Sequence, residues 1–323
     1  MLEPATVSIV EKVWGAAFEE LAHDLSLHVI EDGWLDPQRL TESLDGSSAL
    51  VVRNRTTVDR ALLTACPSLR VIARAGVGLD NIDLTAADEL GVVVVAPVGV
   101  NAISVAEHTL GLALAVARQT LPLDRGVRSG QWDRRAGREF HGRVWGLLGF
   151  GATARAVVPL ARGLGMQVVA YDPYVTATEV DGVRMAPLDE VVQAADVLSV
   201  HVPATEQTKN LVDAVLLGSM KPDAILVNVG RGEVVDEDAL ADALAGNRLL
   251  GAGLDVRSTE PPGEQHRLHQ LDNVVLTPHV AGITAESQEK IVTTLADNLR
   301  ALFGDGEAPN PVGEHRNLRD RTA

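Results

Sequence analysis

The sequence predicts an α/β chain built on two doubly wound parallel sheets, and three observations predict it. Short apolar runs alternate with helical patterns along nearly all of the 323 residues, as parallel strands joined by crossover helices require. The runs fall into two series. Residues 7–10, 27–30, 49–52, 71–73 and 92–95 make the first; 146–148, 168–171, 197–200, 225–228, 251–254 and 274–276 make the second. The length suits about two domains.

Helical patterns fill the gaps, for example 188–194 and 236–245. Residues 104–118 form a long apolar helix between the two series, read as a connector or a subunit contact. A second long helix, 285–302, follows the last strand and is read as returning to the first domain. The expected division is therefore 1–99 and 282–323 for one domain and 100–281 for the other. A cleft between them is the default ligand site.

The second series opens on the most specific motif. The strand Val144-Trp145-Gly146-Leu147-Leu148 runs into Gly149-Phe150-Gly151-Ala152-Thr153-Ala154 and then a helical pattern. The next strand ends on Asp172, about 20 residues on, which completes the dinucleotide-binding fingerprint of a Rossmann βαβ unit. Gly149 tightens the turn, Gly151 lets the backbone approach a pyrophosphate, and the helix N-terminus offers free N–H groups to it. A carboxylate at Asp172 accepts hydrogen bonds from ribose hydroxyls and repels a 2′-phosphate, so the expected cofactor is NAD.

Composition excludes other classes. The formal net charge of −16 disfavours nucleic acid and anionic membrane as partners. Cys66 is the single cysteine, so neither an intrachain disulfide nor a cysteine-based metal site is available. His266 and His269 show no third ligand, and no metal is expected. The residues Met1–Pro4 give no basic start of a signal peptide, and no apolar run is long enough to span a bilayer. A cytoplasmic protein is expected. The polar tail, 313–323, is read as frayed.

Three residues carry the expected chemistry. Arg231 lies between Gly230 and Gly232 past the strand 225–228, where a guanidinium can clamp a carboxylate with paired donors. Glu260 follows the strand 251–254 and His279 the strand 274–276. A carboxylate beside an imidazole raises its pKa and fixes its tautomer, which suits general acid–base work near neutral pH.

These segments together resemble the D-isomer-specific 2-hydroxyacid dehydrogenase family, over residues 51–312. The resemblance rests on Gly76-Val77-Gly78-Leu79-Asp80-Asn81, on Asn101 with Ala106-Glu107-His108, and on the 149–154 turn. It continues through His201-Val202-Pro203 with Thr208, Arg231-Gly232, Asp255, Glu260-Pro261 and Thr277-Pro278-His279. It implies a flavodoxin-like substrate domain beside the Rossmann domain, and a short phosphoglycerate dehydrogenase-like form without a regulatory domain. It implies hydride transfer between nicotinamide C4 and substrate C2, with His279 exchanging the C2 hydroxyl proton, Glu260 polarising it and Arg231 holding the carboxylate. Gly149, Gly151, Ala152, Thr153, Asp172, His201, Pro203, Thr208, Val229, Asp255, His279 and Gly282 would meet the cofactor. Val77, Gly78 and Asn101 would meet the substrate.

Ala154 departs from the usual third glycine and Thr153 from a common isoleucine. Arg257 stands where an aromatic is usual, which bears on substrate choice. Arg53 and Arg74 match positions that resemble the phosphate-binding arginines of phosphoglycerate dehydrogenases. The expected substrate is thus a D-2-hydroxyacid with a second anionic group, 3-phosphoglycerate-like or sulfolactate-like. A glyoxylate or hydroxypyruvate reductase is the alternative, and an NAD-sensing corepressor-like binding protein the alternative of another class. The apolar helix 104–118 resembles the family's dimer element, so a homodimer is expected.

Overall fold

Parallel pairing organises both sheets of the protein, described from a computed structural model that covers residues 5–318 except Trp14, Glu31, Gln265 and Asp305. Met1–Pro4, read above for a leader, therefore lie outside the described residues. The chain divides into two compact units, Met1–Asn101 with Thr284–Ala323, and Ala102–Ile283.

The first unit opens with β1 (Thr6–Ile9), β2 (Ser26–Val29), β3 (Ala49–Val52), β4 (Val71–Arg74) and β5 (Val93–Val95). The second contains β6 (Val144–Leu148), β7 (Gln167–Tyr171), β8 (Glu179–Val180), β9 (Val183–Met185), β10 (Val197–Val200), β11 (Ile225–Asn228), β12 (Gly251–Leu254) and β13 (Val274–Leu276). The chain then returns to the first unit and ends its sheet with β14 (Pro311–Val312).

The first sheet has the order β2-β1-β3-β4-β5-β14 and is parallel except at β14. At β3 and β5 both faces are covered, so these strands are apolar throughout rather than alternating, whereas the edge strand β2 is largely exposed. Side chains still alternate between the two faces. Ala49 and Val51 join a core with Phe18, Leu21, Ile291, Leu295 and Leu299. Leu50 and Val52 join the opposite core with Leu40, Leu44, Leu63 and Ile72. Leu50 is fully buried, and truncating such a leucine to alanine costs about 2 to 5 kcal/mol.

The second sheet has the order β13-β12-β11-β10-β6-β7-β9-β8. Its order reverses at the β6–β10 pair, the switch point where doubly wound sheets bind ligands beyond the strand C-termini. The long helix after the first series spans Ala102–Ala117 and packs within this second unit, onto β12. Glycine explains the fit: a Cβ at Gly251 would lie 2.6 Å from Val116 Cγ1, and one at Gly253 2.8 Å from Leu112 Cβ. The side chain that the strand omits is replaced by the helix, which is why that helix is apolar on several faces.

Three features escaped the sequence reading. The strands β8 and β9 are too short for a period-two pattern to register. The helix Thr120–Arg128 has no buried residue and so no apolar stripe to announce it. The tail was expected to fray, yet Asp88 holds it: Asp88 Oδ1 accepts from the Glu314 N–H at 2.8 Å, and the Asp88 carbonyl meets His315 Nε2 at 2.8 Å. Arg70 also donates to the Leu318 carbonyl. Residues 319–323 of that tail lie outside the described part. Among the described residues no helix is long and apolar enough to cross a membrane.

Candidate active site

The glycine turn follows β6 at the switch point. Gly149 has φ +91°, and a Cβ there would press at about 3 Å on Val202 and the His201 backbone, so only glycine fits. Gly151 differs. Its backbone is extended, and a Cβ would meet no protein atom within 4 Å. The protein's own packing does not demand glycine there; the close approach of a ligand does. The helix Ala152–Gly163 that starts at Gly151 has no side-chain cap, which leaves its first-turn N–H groups for an anion. These residues fit a dinucleotide pyrophosphate.

Asp172 stands at the end of β7 and is tied to that turn. Its Oδ2 accepts from the Phe150 N–H at 2.8 Å and its Oδ1 from the Tyr174 N–H at 2.9 Å. Beneath the turn runs a polar chain. Trp145 Nε1 donates to Ser199 Oγ, Ser199 meets His201 Nε2 at 2.9 Å, and His201 Nδ1 lies 3.3 Å from Thr153 Oγ1. Burial pushes His201 down to about 3, so it is a neutral hydrogen-bonding group at working pH. Pro203 and Thr208 form one turn, in which the Thr208 hydroxyl donates to the Pro203 carbonyl. Val229 is buried just past β11.

Three adjacent strands, β11, β12 and β13, deliver Arg231, Glu260 and His279. Glu260 Oε2 lies 2.7 Å from His279 Nδ1. The Glu260 hydrogen bond outweighs burial and holds His279 above its ordinary pKa, while Arg231 opposes the rise and Asp255 adds to it. Burial works against ionisation of Glu260, but His279 and the Arg257 N–H hold it below the usual range. The acceptor at Nδ1 leaves Nε2 as the exchangeable nitrogen. Arg231 is steadied by its own turn. Asn228 Nδ2 donates to the Arg231 carbonyl and Arg231 Nη1 to the Gly230 carbonyl. Gly232 is required because a Cβ there would sit 1.9 Å from the Arg257 carbonyl carbon.

His279 has φ +55°, a left-handed backbone that a non-glycine residue seldom adopts. Asp255 over-determines it. Its Oδ1 accepts from the Thr277 hydroxyl and the Val280 N–H, its Oδ2 from the Ala281 N–H, and its carbonyl from the His279 N–H. Burial opposes the charge, but these donors and His108 hold Asp255 at about 2. His108 Nε2 lies 3.0 Å from Thr277 Oγ1, a contact that the resemblance through Ala106-Glu107-His108 does not specify. Its partner lies 169 residues away in sequence. Strain of this kind concentrates at functional sites.

In the first unit, the loop after β3 is clamped on both sides. Glu11 accepts from the N–H groups of Arg53, Asn54, Arg55 and Thr56. Asn81 Nδ2 donates to the Arg53 and Thr56 carbonyls. Arg55 lies over the Trp34 ring. The Arg53 side chain instead lines a pocket with Lys12, Val13, Ala75, Gln288 and Ile291. Among the described residues neither the Arg53 guanidinium nor the Lys12 ammonium forms an ion pair, while the Arg53 N–H is held by Glu11. The sequence reading missed Lys12, which only the β1–β3 pairing brings beside Arg53. Arg74 folds over Gly76, where a Cβ would collide with its Nη1. Val77 and Gly78 follow it, and Asn101 Oδ1 is buried without a hydrogen-bond partner.

His266 and His269 lie against Glu237 and Arg257. Among the described residues no cluster of three or more metal-ligating side chains occurs.

The sheet order, the open glycine turn and the imidazole–carboxylate pair define a Rossmann-type dinucleotide-binding protein. The profile of the D-isomer specific 2-hydroxyacid dehydrogenase NAD binding domain matches residues 110–281. The (S)-sulfolactate dehydrogenase of Chromohalobacter salexigens is 42% identical over 305 residues, covering 92% of this chain and 98% of that protein. The D-3-phosphoglycerate dehydrogenase of Mycobacterium tuberculosis is 41% identical over 290 residues, covering 88% of this chain and 55% of that protein. The chain thus spans about half the length of the phosphoglycerate dehydrogenases it matches. The solved TT0316 protein of Thermus thermophilus superposes with a TM-score of 0.89 at 34% identity, covering 95% of this chain and 99% of that one. The chain belongs to the D-isomer specific 2-hydroxyacid dehydrogenase family.

Proposed function

We propose that the protein is an NAD-dependent oxidoreductase acting at C2 of a D-2-hydroxyacid or 2-oxoacid that carries a second anionic group. The Glu260–His279 contact at 2.7 Å, with Arg231 on the neighbouring strand end, carries this reading. NAD supplies the hydride acceptor for oxidation, held by the Gly149–Thr153 turn and, at its ribose, by Asp172. His201, Pro203, Thr208, Val229, Asp255 and Gly282 line that cofactor. In oxidation, neutral His279 takes the C2 hydroxyl proton on Nε2 while Glu260 stabilises the imidazolium; in reduction the imidazolium returns the proton. Arg231 pairs with the substrate carboxylate, assisted by the N–H groups of Val77 and Gly78 and by Asn101.

Arg53 and Arg74 take the second anion, and Lys12 joins them. In a chain of net charge −16, two cationic side chains in one pocket, without an ion pair among the described residues, favour an anionic ligand. The similarity to a sulfolactate and a phosphoglycerate dehydrogenase points the same way. The first unit is thus the substrate domain and the second the NAD domain of a cytoplasmic homodimer. Sedimentation at micromolar concentration tests the dimer, and a lone 34.2 kDa species refutes it.

The deciding experiment is NADH oxidation with 3-phosphohydroxypyruvate, 3-sulfopyruvate, hydroxypyruvate and glyoxylate side by side. Selective turnover of a doubly anionic substrate, lost in Arg53→Ala, supports the reading. Preference for the small monoanions moves it to a glyoxylate or hydroxypyruvate reductase. No turnover with NADH bound and a protein partner captured moves it to the corepressor-like class.

A further inference from the structure

Arg257, placed by its sequence beside the substrate chemistry, turns away from it. It is buried, and its Nε and Nη2 donate to the two carboxylate oxygens of Glu237 at 3.1 and 2.8 Å. Glu237, in the first turn of the helix Glu237–Ala245, is buried too. It also accepts from the Ser258 N–H at 2.7 Å and meets His266 Nε2 at 3.0 Å. Arg257 Nη1 reaches His269 Nε2 at 3.1 Å. The ion pair therefore grips both the side chain of residue 257 and the backbone of residue 258. The next contact leads to the chemistry. The Arg257 N–H donates to Glu260 Oε1 at 3.0 Å, while Glu260 Oε2 holds His279.

We propose that Glu237 and Arg257 are positioning residues: together they fix the run 257–260 so that Glu260 meets His279 in a single orientation. The inference rests on the His279–Glu260 reading above and deepens it. Stability alone does not account for the pair, because a buried ion pair commonly does no better than well-packed apolar side chains. What it adds is direction. A bidentate guanidinium–carboxylate pair has a fixed geometry, and the N–H that orients Glu260 belongs to the same residue as the guanidinium. The charged groups facing His279 are Glu260, Arg231 and Asp255. Those facing Glu237 are Arg257 and His266. Glu260 connects the two sets through the Arg257 N–H.

The test is an NMR titration of the His279 imidazole in the full-length protein, its signal assigned with His279→Asn, alongside the pH profile of 2-oxoacid reduction. Glu237→Gln and Arg257→Met are each expected to lower the His279 midpoint by about half a pH unit or more. A fall in kcat of about tenfold should accompany this, with little change in KM for NADH. The double variant Glu237→Leu/Arg257→Met restores an uncharged, packable pair. It is expected to recover thermal stability but not the midpoint, and so separates positioning from folding. An unmoved midpoint in a folded single or double variant overturns the proposal. Glu260→Gln serves as the reference. If it also leaves the midpoint unmoved, the His279–Glu260 reading itself fails; if it shifts the midpoint and the Glu237 and Arg257 variants do not, only the positioning role is lost.

Discussion

Two regions of the molecule start their helices differently: three helices of the first unit are closed by an aspartate, and the helix after Gly151 in the second is not. Ala16–Leu21 of the first unit also starts at an uncapped glycine, Gly15, but a Cβ there would meet Val292 at 3.3 Å, whereas one at Gly151 would meet nothing within 4 Å. In the first unit, Pro37–Ser43, Arg60–Ala65 and Leu84–Glu89 each start at an aspartate, Asp36, Asp59 or Asp83, whose side chain accepts first-turn N–H groups. Glu11 does the same for the loop at 53–56. The protein satisfies its own amides there. In the second unit the helices after Asp213 and Asp236 are closed in that way, but Ala152–Gly163 starts at Gly151 with no side-chain cap. A helix that gives up a cap forgoes a few tenths to about 2 kcal/mol, and here that leaves first-turn N–H groups open to an anion. An uncapped glycine start points to a ligand only where, as at Gly151, the space beside it is empty of protein.

The largest expected effect comes from closing the open end. Gly151→Asp places the first unit's kind of cap on the second unit's helix, in an extended backbone that aspartate accepts and in space that no protein atom occupies. Like charges facing each other cost several kcal/mol, so NADH affinity should fall about 100-fold or more. The melting temperature should hold or rise slightly, since a cap and a helix dipole together gain about 0.5 kcal/mol. Fluorescence titration of NADH and a thermal melt read the two effects. Unchanged affinity would remove the pyrophosphate from this turn.

Next in size is Glu260→Gln. Its direction follows from His279, whose pKa the Glu260 carboxylate raises. Reduction needs the imidazolium, so kcat/KM is high below the His279 pKa and falls as pH rises through it. Without the carboxylate that fall moves to lower pH, and activity near neutrality drops by up to about 10². A pH profile that keeps its wild-type midpoint would contradict the pairing. A smaller change is expected of Asp172→Ala. The carboxylate would no longer hold the ribose or repel a 2′-phosphate, and preference for NADH over NADPH should narrow by about tenfold. Paired KM measurements decide it, and an unchanged ratio would put cofactor choice elsewhere.

Why some of this was readable and some was not follows from range. The strands 197–200, 225–228 and 251–254 announce themselves by apolar runs bounded by breakers, and the turn at 149–154 by glycines whose reasons are local. Arg231, Glu260 and His279 are far apart in sequence, but each follows a strand, and sequential strands of a parallel sheet become neighbours. The supports of the site have no such signature. His108 with Thr277, Glu237 with Arg257, and Glu11 with Arg53 join residues 169, 20 and 42 positions apart. Each member alone reads as an ordinary polar residue. Asp88 misled in the same way, since the tail that it holds looks solvated by composition.

The smallest effect tests the closed side of the comparison. Asp59 accepts the Leu62 N–H at 2.9 Å and precedes a helix of six residues. Asp59→Ala leaves that N–H without its side-chain partner and should cost about 1 kcal/mol of stability, readable as a lowered urea midpoint. Turnover and NADH affinity should stay at wild-type values, because this carboxylate serves the fold alone. If Asp59→Ala instead weakened NADH binding as Gly151→Asp does, the capped start at Asp59 and the open start at Gly151 would not differ in function. The contrast drawn between these two helix starts would then collapse.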